Sequence, residues 1–206
     1  MILQRPPDAW ALYLLAHGAG AGMRHPFLEQ LATALSACGV ATLRYEFPYM
    51  EAGGRRIDPK PVLEARVREA AVAASEQGLP LIAGGKSLGG RMTSQAQARE
   101  PLPGVRGIAF VGFPLHPARK PSVARADHLR DVRLPMLFLQ GTRDELADLS
   151  LLRPIVAALP RAQIHVVNDA DHSFHVRKKS GSTDGQIIIE LAQTLAAWAK
   201  TALAEK

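Results

Sequence analysis

The sequence has few of the features that stabilise exported proteins or direct a chain to a membrane. Its 206 residues include one cysteine, Cys38, which excludes an internal disulfide and a metal site built on several thiolates. The segment from Met1 to Pro7 has no basic region followed by an apolar run, so we expect no signal peptide. No apolar run approaches the roughly 20 residues that cross a bilayer. We therefore predict a cytoplasmic protein without a membrane partner.

The positive charge of the chain is not concentrated in one cluster. Lys and Arg number 25 and Asp and Glu number 19, which gives a formal net charge of +6. A basic surface can attract nucleic acid or anionic substrates. The arginines, however, are scattered, and the one tight basic run is Arg177-Lys178-Lys179. A solvated loop is the simpler interpretation of that run, so we do not expect a nucleic-acid partner.

The chain does contain a regular alternation of short apolar runs and helix-like segments. Predicted strands lie at Ala11–Ala16, Val40–Arg44, Pro80–Gly84, Gly107–Gly112, Pro135–Gln140 and Gln163–Asn168. Predicted helices include 28–38, Pro61–Gln77, Leu88–Arg99, Ser150–Leu159 and Gly185–Leu203. Strands that are apolar throughout are typical of a parallel sheet buried on both faces. The alternation predicts one α/β domain over residues 1–206, with a mostly parallel sheet of about six to seven strands and helices on both faces.

Two segments between these elements are irregular, Glu46–Lys60 and Pro114–Leu134. Both follow predicted strands, so we expect both at the carboxyl edge of the sheet, where open α/β folds bind ligands. The stretch between Gly112 and Pro135 is too short for a large cap domain. We therefore predict an open site.

The pentapeptide Gly85-Lys86-Ser87-Leu88-Gly89 lies between a predicted strand and a predicted helix. A G-x-S-x-G pattern in that position is typical of a nucleophile turn, in which small flanking residues let strand and helix pass close together. It predicts that Ser87 is a nucleophile. A phosphate-binding loop would require glycine at position 80, which is Pro80. A purely structural glycine turn is the remaining alternative.

A serine nucleophile needs a base, and the base needs an orienting acid. With this turn they follow in the order serine, acid, histidine, each after a later strand. Asp144 follows the strand that ends at Gln140, and we predict it as the acid, with Glu145 and Asp148 as competitors. His172 follows the last predicted strand, and we predict it as the base, with His175 as its rival.

An oxyanion hole requires two backbone N–H donors, and one of them should belong to Leu88, directly after the nucleophile. The other should come from the small residues at 17–22, and we predict Ala19, with Gly20 second. We expect His17 to hold this loop by hydrogen bonds.

The same loop allows a second interpretation, because Gly18-x-Gly20-x-Gly22 resembles a dinucleotide-binding turn. Its third glycine is one position early for the usual fingerprint, although Arg44 could accompany a phosphorylated cofactor. That interpretation leaves the serine, aspartate and histidine unexplained. We therefore predict acyl-transfer chemistry, which requires no metal or organic cofactor.

The substrate should be a small acyl compound, such as a short-chain ester, because the predicted site is open and modestly apolar. Thioesters, lactones and peptides are the alternative substrate classes. We predict that Phe113 and Tyr45 line it. Further apolar side chains are expected at its border: Met23, Phe27, Phe47, Tyr49 and Leu115.

Several motifs together carry a family resemblance. They are H-G-A-G at 17–20, the serine turn followed by Gly90-Arg91-Met92, F-P-L-H-P at 113–117, G-x-R-D at 141–144 and D-H-S-F at 171–174. The chain resembles the small lidless α/β-hydrolases related to the testis-expressed protein 30 family and to the hydrolase-like subunit 3 of the animal KAT8 regulatory complex. The resemblance implies an α/β-hydrolase fold and a triad of Ser87, Asp144 and His172. Some relatives look like subunits of protein complexes, so the second hypothesis is a non-catalytic interaction module.

Overall fold

The structure, a computed structural model, describes residues 1–204 and is built on one seven-stranded sheet. The strands are β1 (Ile2–Gln4), β2 (Ala11–Ala16), β3 (Val40–Tyr45), β4 (Leu81–Lys86), β5 (Val105–Val111), β6 (Met136–Gly141) and β7 (Ala162–Val167). Their order across the sheet is β1-β3-β2-β4-β5-β6-β7. β1 is antiparallel to β3, and every other pairing is parallel.

Within residues 1–204, six α-helices connect and cover the strands. They are α1 (Pro26–Ala37), α2 (Pro48–Glu51), α3 (Lys60–Ser75), α4 (Leu88–Arg99), α5 (Leu149–Ala157) and α6 (Asp184–Ala204). Two 3-10 helices, at Ala124–Asp131 and Lys178–Ser180, complete the described elements. The prediction of a mostly parallel sheet flanked by helices is confirmed, and all six predicted strands are present within two residues of their predicted ends.

The side chains of the central strands alternate between two apolar cores. In β2, Leu12 and Leu14 belong to the core under α3, α4 and α5. Tyr13 and Leu15, which point to the opposite face, belong to the core under α1 and α6. Successive side chains of a strand point to opposite faces. An uninterrupted apolar run is therefore what a strand covered on both faces requires.

The last helix, α6, is long and apolar enough by length and composition to cross a membrane, and it is the one such helix within residues 1–204. About 56% of its most apolar window is buried inside the protein. Ile188, Leu191, Leu195 and Trp198 follow one another at intervals of three or four residues, and all four are buried. The helix therefore has the character of a core helix, which passes the same test of length and composition.

The two tryptophans of the sequence lie at the amino edge of the sheet. Trp10 directly precedes β2, and its indole N–H donates to the carbonyl of Cys38 at 3.0 Å. Trp198 of α6 packs against Gly107 near the start of β5, where a Cβ would come within 2.9 Å of its ring. These indoles close the end of the sheet at which the parallel strands begin.

The carboxyl edge has a crevice where the direction of winding changes. β2 lies between β3 and β4, so the chain moves outward to β3 and then returns past β2 to continue with β4. Open α/β sheets bind ligands at such a reversal. The loop after β2 and the turn after β4 flank this crevice, because Ala16 is paired with Gly85 at the ends of their strands.

Candidate active site

Ser87 forms the tip of a tight turn between β4 and α4. Its backbone has φ of 51° and ψ of −115°, a conformation that residues with a Cβ rarely adopt. A Cβ at Gly85 would come within 2.3 Å of the Ala16 carbonyl oxygen, and one at Gly89 within 2.6 Å of the His17 carbonyl oxygen. No side chain larger than hydrogen fits at either position without movement of the backbone. The two glycines therefore allow the close crossing that presents the Ser87 hydroxyl at the sheet edge.

The side chains of Ser87, His172 and Asp144 form a continuous chain of hydrogen bonds. His172 Nε2 lies 2.9 Å from Ser87 Oγ, and His172 Nδ1 lies 2.7 Å from Asp144 Oδ2. An ionised carboxylate only accepts hydrogen bonds, so Nδ1 carries the proton and Nε2 has its lone pair directed at the serine hydroxyl. In this arrangement the imidazole can remove the Ser87 proton.

The carboxylate of Asp144 is buried and uses both of its oxygens. Oδ1 accepts the Leu146 N–H at 2.8 Å, and Oδ2 accepts both His172 and the side-chain amide of Gln140. The side chain is 1% exposed. These donors hold the carboxylate in one orientation, against the imidazole.

The competing acids lie elsewhere. Glu145 is exposed to solvent. Asp148 caps the start of α5, where its Oδ1 accepts the Ser150 N–H at 2.8 Å. Of the three acidic residues considered from the sequence, Asp144 alone is brought to His172 by the structure.

His172 is held by a compact loop after β7. Asp171 Oδ1 accepts the N–H groups of Ser173 at 2.8 Å and His175 at 3.0 Å, which closes the loop on itself. The N–H of Arg143, beside the acid, donates to the Ala170 carbonyl at 2.8 Å and joins the two loops. The His175 side chain is exposed, and its Nδ1 pairs with Asp184 at 2.8 Å. The structure therefore leaves this rival histidine away from Ser87.

The two predicted oxyanion donors lie on either side of Ser87. Leu88 is the first residue of α4, and N–H groups at a helix start have no acceptor within the helix. The loop after β2 passes directly beside the nucleophile, since a Cβ at Gly18 would lie 3.6 Å from Ser87 Cβ. Ala19 follows Gly18 and lines the same cleft as Ser87. That their N–H groups bind an oxyanion stays a prediction.

His17 anchors this loop, as predicted. The Phe47 N–H donates to His17 Nε2 at 3.0 Å, so Nδ1 carries the ring proton and donates to the Gly18 carbonyl at 2.7 Å. The side chain is fully buried, and burial lowers the pKa of His17. The imidazole is therefore a neutral connector between β2 and the segment after β3.

The cleft above Ser87 is small and has mainly apolar walls. Its volume is about 310 Å³. Apolar side chains come from the loop after β2, from the start of α1 and from the acid loop. The residues that line it are Gly18, Ala19, Ala21, His25, Phe27, Leu28, Lys86, Ser87, Leu146, His172 and Ser173. Phe27, expected at the border, is among them.

The prediction that Phe113 and Tyr45 line the site is wrong. Both side chains are fully buried in the core, with 0% exposure. The Phe113 ring packs against Phe110, with centroids 5.2 Å apart, and the Tyr45 ring packs against Phe47 at 5.6 Å. Each residue follows or ends a strand at the correct edge, but its side chain turns into the layer of helices and not towards the cleft.

Two residues of the site were missed from the sequence as functional candidates. Lys86 donates from Nζ to the His172 carbonyl, and Gln140 donates to Asp144. A signal existed for each of them. Lys86 occupies the variable position next to the nucleophile, and Gln140 is a polar residue at the end of an otherwise apolar strand, four residues before the acid.

A family model described as an alpha/beta hydrolase domain matches residues 9–200 of the chain. The chain belongs to this α/β-hydrolase family. Among solved structures, it is similar to a dienelactone hydrolase from Anabaena variabilis, with a TM-score of 0.71 and 21% identity, over 97% of this chain and 89% of that one. It is also similar to a serine hydrolase without a lid from Xanthomonas campestris, with a TM-score of 0.72 and 19% identity, over 99% and 89% of the two chains.

A third similar structure is an alpha-beta serine hydrolase homologue from Coxiella burnetii, with a TM-score of 0.70 and 20% identity, over 95% of this chain and 89% of that one. At these identities the likeness shows a shared fold. The present chain is accordingly a small, lidless α/β-hydrolase.

Proposed function

We propose that the protein is a serine hydrolase that cleaves a small ester or related acyl substrate through a covalent acyl-enzyme. The observation that supports this proposal is the unbroken chain of hydrogen bonds from Asp144 through His172 to Ser87, which opens onto a cleft. Such a chain converts a weakly nucleophilic hydroxyl into one that attacks carbonyl carbon.

The proposed reaction has two halves. Ser87 Oγ attacks the carbonyl carbon while His172 Nε2 takes the hydroxyl proton, and Asp144 stabilises the resulting imidazolium. The N–H groups of Ala19 and Leu88 bind the oxyanion, and His172 returns the proton to the leaving alcohol as the acyl-enzyme forms. A water molecule then gives its proton to His172 and attacks the acyl carbon. Collapse of the second intermediate releases the acid and restores the serine hydroxyl.

The dimensions of the cleft favour short acyl groups. A space of about 310 Å³ with walls formed by Phe27, Leu28 and Leu146 can bury a few methylene groups beside Ser87. Lactones belong to the same reaction class, because they are cyclic esters, and one protein of similar structure is a dienelactone hydrolase. The sequence motifs further favour an evolutionary relationship to the small hydrolases related to the testis-expressed protein 30 family.

The test is covalent labelling with a fluorophosphonate probe, combined with hydrolysis of p-nitrophenyl acetate. The wild type should be labelled and active, and Ser87→Ala should lose both properties while its circular dichroism spectrum is unchanged. Ser94→Ala is the matched control, because Ser94 also contacts a histidine, with Oγ 2.8 Å from His128 Nε2, but is fully buried away from solvent. It should remain labelled. A folded wild type that is not labelled would contradict the proposal and favour the interaction module.

A further inference from the structure

Lys86 connects the nucleophile turn directly to the loop that carries His172. Its Nζ donates to the His172 carbonyl oxygen at 2.5 Å and lies 5.5 Å from the centroid of the Phe174 ring. On its other side is Gly112, with φ of +73°, where a Cβ would come within 3.1 Å of Nζ and 3.5 Å of the His172 ring. The space for the ammonium and the space for the imidazole are therefore made by the same glycine.

The surroundings of Lys86 are unfavourable for a positive charge that has no polar partner. Burial lowers its pKa to about 8, and the nearby carboxylates of Asp144 and Asp171 oppose that shift. Burial of an ammonium costs free energy that an apolar side chain of similar length would not cost. The hydrogen bond to the His172 carbonyl oxygen offsets part of this cost, and it directs the ammonium to the residue that carries the proposed base.

We propose that Lys86 is a positioning residue, whose ammonium holds the backbone of His172 so that the imidazole stays between Ser87 and Asp144. The inference rests on the proposed function, because it concerns the same site. Lys86 is bonded covalently to Ser87, so its contact with the His172 carbonyl links the residues that carry the nucleophile and the base. Without that contact, Asp171 still closes the loop and the Arg143 N–H still joins it to the acid loop, but the His172 backbone loses its bond to the residue next to Ser87.

The protonation of Lys86 gives this role a pH signature. The titratable groups that face its ammonium are Asp144 from the loop after β6, and Asp171 and His172 from the loop after β7. Below pH 8 the ammonium is charged and its hydrogen bond to the carbonyl is charge-assisted. As the pH rises through about 8, the charge is lost and the bond weakens. The turnover number of the wild type should therefore fall on the alkaline side with an apparent pKa near 8.

The test compares Lys86→Met with Lys179→Met, which removes the same charge from an exposed position. For p-nitrophenyl acetate, Lys86→Met should lower kcat by about 10-fold to 100-fold, since small misplacements of catalytic groups cost rates of that order. KM should change by less than about twofold. The variant should also lose the alkaline decline near pH 8, and its Tm should be equal to or higher than that of the wild type. Lys179→Met should behave as the wild type does.

The possible failures are distinguishable. If the wild type is labelled by the fluorophosphonate but Lys86→Met retains the kcat and the pH profile of the wild type, the role of Lys86 is refuted and the proposed function stands. If the folded wild type is neither labelled nor active, the proposed function itself fails. Should Lys86→Met not fold, Lys86→Gln takes its place, because its shorter side chain also loses the bond to the His172 carbonyl. A folded Lys86→Gln with the kcat of the wild type overturns the positioning role.

Discussion

Among single residues, Asp144 has the largest number of polar contacts within the proposed triad. Replacement by asparagine should lower kcat by about 10³-fold to 10⁴-fold. An amide has one acceptor oxygen where the carboxylate has two, and Asp144 accepts from Gln140, Leu146 and His172. If the NH₂ group faced His172, Nδ1 would have to act as the acceptor, and Nε2 would then carry the proton. Steady-state hydrolysis of p-nitrophenyl acetate measures the loss.

The control for this substitution is Glu145→Gln, one residue further along the chain. Glu145 is exposed, so its conversion to the amide should change kcat by less than about twofold. Equal losses in both variants would show that general charge near the site, and not the contact with His172, determines the rate.

The residues of the proposed triad could be predicted from the sequence, whereas the residues that form the walls of the cleft could not. Ser87, Asp144 and His172 each follow a strand, and parallel strands deliver all such residues to one edge of the sheet. Whether an aromatic side chain at that edge faces the cleft or the core depends on the local turn and on the helix packed beneath it. Phe113 and Tyr45 occupy the correct edge but are directed into the core. Phe27, at the start of α1, reaches the cleft.

At the scale of elements, the junction of β4 with α4 leaves almost no room for a larger side chain. Gly89→Ala should destabilise the protein by about 2–4 kcal/mol, because its Cβ would come within 2.7 Å of the Ala16 and His17 carbonyl oxygens, which cannot rotate away. At this chain length, that range corresponds to a loss in Tm of roughly 5–15 °C. Thermal unfolding followed by circular dichroism tests the prediction.

Gly185→Ala is the matched control. Gly185 lies in the first turn of α6, and a Cβ there would meet a single atom, at 4.0 Å. Alanine has the higher helix propensity, so this variant should be unchanged or more stable by up to about 1 kcal/mol. A Gly89→Ala protein with the Tm of the control would contradict the close packing of the turn.

The 3-10 helix at Ala124–Asp131 should make the stability of the protein depend on pH in the acid range. Its His128 contacts Ser94 of α4, and burial together with the nearby Lys60 and Arg91 lowers the pKa of His128 to about 4. In the unfolded chain this imidazole titrates near 6.5, so the unfolded state binds more protons between those two values. Stability should therefore fall as the pH decreases from about 6.5 to 4, by on the order of 1–3 kcal/mol.

Measurements of Tm across this range in the wild type and in His128→Gln test the assignment. The glutamine variant should lose most of this part of the acid dependence. His165→Gln, which replaces an imidazole on the strand at the far edge of the sheet, should retain it. An unchanged profile in His128→Gln would locate the acid sensitivity elsewhere.

The long elements were easier to predict than the short ones. Strands of about six residues and helices of twelve or more contain several repeats of the apolar spacing, so the sequence identifies them. Their predicted ends lie within two residues of the observed ones. The strand β1 has three residues, pairs on one side only with β3, and leaves Leu3 exposed. Its position depends on partners distant in sequence, such as Arg44 opposite Ile2, and local pattern carries no information about that pairing.

For the whole molecule, the absence of a cap domain should determine how activity depends on substrate length. Each additional methylene of an acyl chain should raise kcat/KM by up to about fourfold while it is buried in the cleft, which is equivalent to about 0.8 kcal/mol. With about 310 Å³ of space and no covering domain over residues 1–204, the gain should stop for long chains. A series of p-nitrophenyl esters from acetate to laurate measures this, and a continued increase up to laurate would contradict an open cleft.

The position of the two tryptophans determines what their fluorescence can report. Trp10 and Trp198 lie at the amino edge of the sheet, and the cleft lies at the carboxyl edge, so the full length of the strands separates the indoles from any bound substrate. Their emission should therefore report loss of the native packing around α1 and α6 and be insensitive to occupancy of the cleft. Intrinsic fluorescence can thus follow unfolding during turnover, with a chromogenic substrate followed separately by absorbance.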